Sequence, residues 1–190
     1  MTQTKAPSKQ NGFTLIETMI AIAILSIGIV TLIGAFGTAV SSTQNAQENL
    51  IAREKALQAL ESVFAARNDQ QITFSQIANI SNGGIFKDGP TQLLCAGPDG
   101  LVNTADDVNC PASGPCAAGP ECVVLPGPDG ILGTPDDVAM SLSNFTRSIQ
   151  ITPVVGYQNL QQVVVTITYT QGGQTPTQTY VVDSLISAFR

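Results

Sequence analysis

The strongest pattern in the chain is an uninterrupted apolar run. From Thr18 to Val40, 23 residues carry no charge. At 1.5 Å per residue a helix of that length reaches about 35 Å, enough for the roughly 30 Å hydrocarbon layer of a bilayer. From Ser41 to Asp69 the sequence turns polar, yet Leu50, Leu57, Leu60 and Phe64 recur at helical spacings of seven, three and four. No proline lies between Pro7 and Pro90, so nothing in that interval forces a break. The pattern predicts one helix over 13–68, with 13–40 in lipid and the second half packed through its leucine stripe on a head domain. Arg53, Glu54 and Lys55 then face solvent, and Gly28, Gly34 and Gly37 are the only weak points.

The period changes towards the C-terminus. Thr146 to Val155, Leu160 to Thr170 and Thr177 to Ser187 are rich in Val, Ile, Thr and Tyr, the composition of strands. In the middle run Val163, Val165, Ile167 and Tyr169 alternate with Val164, Thr166 and Thr168, a half-buried strand. Gly172 and Gly173 supply a turn before the last strand. A helix laid on such a sheet predicts an α+β fold with a small antiparallel sheet. Between them, residues 90–140 hold 8 of the 11 prolines. This is a loop-rich insertion in a head that covers 69–190.

Charge and cysteine content narrow the chemistry. The formal net charge is −6, from 8 basic and 14 acidic residues, and the basic residues are scattered. Nucleic-acid binding, which needs clustered Lys and Arg, is not expected. Cys95, Cys110, Cys116 and Cys122 lie at spacings of 15, 6 and 6 with no His in the chain. That matches no common zinc pattern and reads as two disulfides in an exported head. Three connectivities are open. Cys95 with Cys110 and Cys116 with Cys122 is the expected pairing, with a nested pairing as the alternative. Without His, with bridged thiols and with carboxylates in loops, no catalytic set is expected.

The carboxylates are not randomly placed. Gly97 to Val108 reads GPDGLVNTADDV and Gly127 to Val138 reads GPDGILGTPDDV, with eight of twelve positions identical. Asp99, Asp106, Asp107, Asp129, Asp136 and Asp137 all fall in these loops. Three carboxylates in one turn repel unless a cation or solvent offsets them. Ca²⁺ suits oxygen-rich flexible loops, and up to two ions, one per loop, are expected. Asn103 is a further candidate ligand, replaced by Gly133 in the second copy. No carboxylate closes the loop at the EF-hand position. A pair of Asp-Gly turns with solvated acids is the plainer alternative.

One charge remains, and it sits in the apolar helix. A leader with Lys5 and Lys9 ends in Gly12, Phe13 opens the apolar run, and Glu17 lies inside it. An unpaired carboxylate in a membrane span costs about 2.5 to 3.5 kcal/mol, and a secretory signal core is shorter than this run. The segment GFTLIE in this context resembles the N-terminus of the type IV pilin and type II secretion pseudopilin superfamily. The resemblance implies removal of leader 1–12 by prepilin peptidase, which also methylates the new Phe13 amine. Glu17 is then the carboxylate that pairs with a neighbouring subunit's N-terminus, and 13–40 is first transmembrane, later filament core. Further along, IAREKALQALESV and VVVTITY look like the PilV/GspI group of minor subunits.

The expected protein is thus a minor pilin. It would be held in the inner membrane with its head in the periplasm and partnered by other pilin or pseudopilin subunits. A type II secretion pseudopilin and a membrane-anchored calcium-binding adhesin outside any filament are the alternatives.

Overall fold

A computed structural model of the chain describes residues 12–170 and 177–189. One helix, α1, runs Leu15–Asn68 without interruption. Short 3-10 turns follow at Phe74–Gln76 and Ile80–Asn82. The strands are β1 (Thr91–Gln92), β2 (Cys122–Leu125), β3 (Val138–Ser141), β4 (Phe145–Pro153), β5 (Leu160–Thr170) and β6 (Thr177–Ser187). The fold is α+β, one long helix with a small antiparallel sheet. The turn expected at Gly172 and Gly173 lies outside the described residues. The chain divides into two compact units, Met1–Asn45 and Ala46–Arg190.

In the first unit every residue from Gly12 to Gln44 is exposed. The helix is long and apolar enough to cross a membrane. Its hydroxyls suit that setting: Thr18, Ser26, Thr31, Thr38 and Thr43 each donate to a carbonyl three or four residues back, at 2.7–3.0 Å. Polar side chains satisfied within their own helix carry little penalty in lipid.

The second unit holds the core. Strand order in the main sheet is β1-β4-β5-β6, all antiparallel. The alternation read in β5 is the one observed: Val163, Val165, Ile167 and Tyr169 are buried. Phe145 and Tyr169 sit opposite each other in the β4–β5 register and stack, with ring centroids 4.9 Å apart. Such cross-strand aromatic pairs add to sheet stability. β2 and β3 form a separate two-stranded ribbon, and the loop-rich insertion also supplies β1 to the edge of the main sheet.

The buried face of α1 differs from the expected stripe. Ile51, Ala52, Ala56, Ala59, Val63 and Ala66 are buried and join one cluster with the sheet residues. Leu60 and Phe64 pack at its margin, Leu57 is half-buried, and Leu50 is 62% exposed. The small residues face the cluster and the larger ones flank it. Arg53 and Glu54 are exposed as expected, but Lys55 is not a solvent residue. Its Nζ lies 2.7 Å from Glu121 Oε2, with only 14% of the side chain exposed.

Ala56→Leu should therefore overpack the helix–sheet contact and lower stability by about 1–3 kcal/mol. Leu50→Ala should stay within about 0.5 kcal/mol of wild type. Chemical melts of the detergent-solubilised protein read both, and a larger loss for Leu50→Ala would contradict the alanine face.

Candidate functional site

The N-terminal segment is laid out for access. Gly12, Phe13 and Thr14 precede the helix, and all are exposed. The first turn is closed by the Glu17 and Thr18 amides donating to Thr14 O at 3.1 and 3.3 Å. Glu17 is the acidic residue of that turn, at the end of the helix where a negative charge is favoured. The Gly12–Phe13 peptide thus lies outside the helix, and Glu17 is exposed within its first turn.

The two acidic loops repeat in structure as well as in sequence. Each is closed by an antiparallel pair: Cys95 with Val108, and Leu125 with Val138. The Leu101 amide donates to Asp99 Oδ1 at 2.8 Å, and the Ile131 amide to Asp129 Oδ1 at 2.8 Å. Asp106 Oδ2 accepts the Asp99 amide and Asp136 Oδ2 the Asp129 amide, each at 3.3 Å. Thr104 and Thr134 hydroxyls donate to Asp106 and Asp136 Oδ1 at 2.6 Å. Asp107 Oδ2 takes the Asn103 amide at 2.8 Å, and Asp137 Oδ2 the Gly133 amide at 2.7 Å.

Glycine is required twice per copy. Gly100 and Gly130 have φ of +70° and +71°, a region costly for other residues. A Cβ on Gly97 or Gly127 would overlap the carbonyl oxygen and carboxylate of Asp106 or Asp136.

The electrostatics follow from these bonds. Burial pushes the Asp99 carboxyl up, against the pull of the Leu101 amide, and the negative charge of Asp106 adds to the rise. The Thr104 hydroxyl holds Asp106 down, as Thr134 does Asp136. Asp99 and Asp106 thus interact directly, and every donor atom offered is oxygen. In kind these donors fit a hard cation. Among the described residues no group of three or more His, Cys, Asp or Glu side chains is gathered to hold a metal ion.

Asn103 serves the fold. Its side chain is buried, its Nδ2 donates to Lys87 O at 3.1 Å and its Oδ1 accepts from the Thr91 hydroxyl. The Lys87 amide donates to Asn103 O at 2.7 Å. Asn103 and Gly133 both have positive φ, +69° and +90°, which explains the Asn/Gly exchange between copies. The first loop is docked on the head, with Leu101 1% exposed. The second sits at the tip of the β2–β3 ribbon, and its Ile131 and Leu132 are 60% and 61% exposed.

Disulfides tie this region together, Cys95 to Cys110 and Cys116 to Cys122, with Cα–Cα distances of 5.0 and 6.0 Å. Sequence reasoning missed the charge that anchors it. Glu121, beside the second bridge, accepts from Lys55 of α1 and, at 3.3 Å, from Arg147 Nη1 of β4. Arg147 is buried, and desolvation lowers its pKa against the opposing pull of Glu121. No local pattern announces this trio, since its members lie 66 and 26 residues apart.

Residues 7–33 match the family described as a prokaryotic N-terminal methylation motif, the type shared by type IV pilin-like proteins. The match covers Gly12, Phe13, Glu17 and the apolar helix as far as Ile33, and leaves the head outside. Neither curated proteins nor solved structures gave a match to the chain.

Gly97→Ala and Gly127→Ala should each break the closure of their own loop. The Gly97 change should cost more, about 1–3 kcal/mol, because its loop is docked on the core. Thermal melts with amide exchange of the two loops test the order, and a costlier Gly127 change would contradict it.

Proposed function

We propose that the chain is a minor pilin: a structural subunit, not an enzyme, that enters a type IV pilus-like filament through α1. In this reading prepilin peptidase cuts after Gly12 and methylates the Phe13 amine. The subunit waits in the inner membrane with its head in the periplasm. It leaves the bilayer when Glu17 pairs with the amine of a neighbouring subunit. The observation that carries the reading is the coincidence of three features in one segment. The methylation motif covers 7–33, the Gly12–Phe13 bond is exposed before the helix, and a single acid stands in an apolar face that its own unit leaves uncovered.

The lone acid explains the order of events. A carboxylate in the hydrocarbon layer costs about 2.5 to 3.5 kcal/mol, and a cationic partner recovers it. Pairing across subunits therefore both aligns the new helix and favours its departure from lipid.

Ca²⁺ is the ligand proposed for the acidic loops, one ion per loop. Asp99 and Asp106 would supply the carboxylates of the first loop, Asp129 and Asp136 those of the second. Asp107 and Asp137 hold loop amides. Support comes from the mutual charge of Asp99 and Asp106 and from the all-oxygen donor set.

Glu17→Ala should leave the protein inserted in the membrane, with filament incorporation lost; normal incorporation would sink the role assigned to Glu17. Gly12→Ala should accumulate uncut protein on a gel, and full processing would contradict the cleavage site. Saturating Ca²⁺ should raise the melting temperature and a chelator should reverse it. At a hundred times Kd the gain is about 2.7 kcal/mol. Identical melting in Ca²⁺ and chelator removes the metal from the proposal.

A further inference from the structure

The two edges of the main sheet are finished differently. The bonds flanking β4 fix its alternation: the Val154 amide donates to Leu160 O and the Thr170 amide to Asn144 O. In the β4–β5 register, even-numbered residues of β4 therefore bond to β5 and odd ones face away. Those outward groups are taken. Thr91 of β1 pairs with Arg147. The Asn79 amide then stands in for a strand, donating to Ile149 O at 2.7 Å and accepting the Ile151 amide at 2.8 Å.

On β6 the Ser187 carbonyl is taken by the Arg67 guanidinium of α1, but the rest of the strand has no such cover. The Ala188 amide donates to Asn159 O at 2.8 Å. Continued through the β5–β6 register, this turns the backbone N–H and C=O of Thr179, Val181, Asp183 and Leu185 away from β5. Among the described residues no hydrogen bond reaches these groups. The strand is 11 residues long, with neither proline nor lysine. Asp183 is the single charge blunting the edge.

The apolar layer also stops short there. Val163, Val165 and Ile167 of β5 are fully buried, whereas Tyr180 and Val182 of β6 are half-buried. On the opposite face Val181 and Leu185 are each 54% exposed. One more strand would complete the cover of Tyr180 and Val182 and shield Val181 and Leu185.

We infer that the outer edge of β6 is a strand-addition surface whose occupant is an extended segment of a different subunit in the same assembly. The inference rests on the filament reading. Charge selects the kind of partner. From Ala46 onward the chain has 13 acidic and 6 basic residues, and the edge itself carries Asp183. A second copy would bring two acidic heads together. A segment with β-branched residues at alternate positions and Lys or Arg facing Asp183 complements both backbone and charge.

Amide exchange in sheared filaments, compared with detergent-solubilised protein, tests this. In filaments the Val181 and Asp183 amides should exchange about tenfold more slowly, the effect of one further backbone hydrogen bond of ordinary strength. Equal rates in filaments that contain the chain overturn the edge proposal and leave the filament reading intact. A chain absent from filaments overturns both.

Val181→Pro removes an outward donor at a position where an edge strand tolerates proline, and Val181→Lys places a charge there. Both should melt like wild type, with filament incorporation reduced about tenfold, while Val181→Thr incorporates normally. Normal incorporation of the Pro and Lys variants overturns the proposal. A solubilised dimer that Val181→Lys dissociates would make a second copy the occupant and overturn the assignment to a different subunit.

Discussion

One helix has to serve two environments, and the rest of the molecule depends on how it does so. Up to Gln44, α1 shows apolar side chains on every side and its own unit covers none of them. From Ile51 to Ala66 the same helix offers one narrow face of small residues to a sheet. The first half can be stable only in lipid or against other apolar helices, since that much apolar surface in water is unfavourable by about 25 cal/mol per Å². Glu17 is the exception within it. In the proposed reading its charge is what lets the first half exchange lipid for protein.

The head shows how a loop-rich segment is kept in place without a large core. Glu121 links α1 and β4 through Lys55 and Arg147 beside the Cys116–Cys122 bridge. Asn103 fixes the first acidic loop to the backbone at Lys87. The two loops share internal hydrogen bonds, so the motif is self-supporting. What differs is what covers them: Leu101 is sealed in the core, and Ile131 and Leu132 are presented at a ribbon tip. The same 12-residue motif is thus used once as packing and once as surface.

Much of this was legible in the sequence. Strand β5 is legible from its alternating Val, Ile, Thr and Tyr, because a half-buried strand needs that alternation, and β4 and β6 from strand-forming composition alone. The helix was read whole because no proline interrupts it. The buried face of α1 escapes pattern reading, which follows large residues, because positions 52, 56, 59 and 66 on that face are alanine. Strands of two to four residues in the insertion leave no periodic trace. Lys55 looked like a solvent residue because its partner, Glu121, is distant in sequence. For the N-terminal site, residue identity alone carried the reading, since Gly12, Phe13 and Glu17 form a contiguous motif.

In the proposed reading the Gly12–Phe13 bond is the boundary between leader and subunit, and the new amine is the partner of a neighbouring Glu17. Intact-mass and N-terminal fragment analysis of the chain extracted from its native membrane tests this most directly. The protein should begin at Phe13 with a methylated α-amine. A membrane-bound chain that retains Met1 and an unmodified Gly12–Phe13 bond would contradict it.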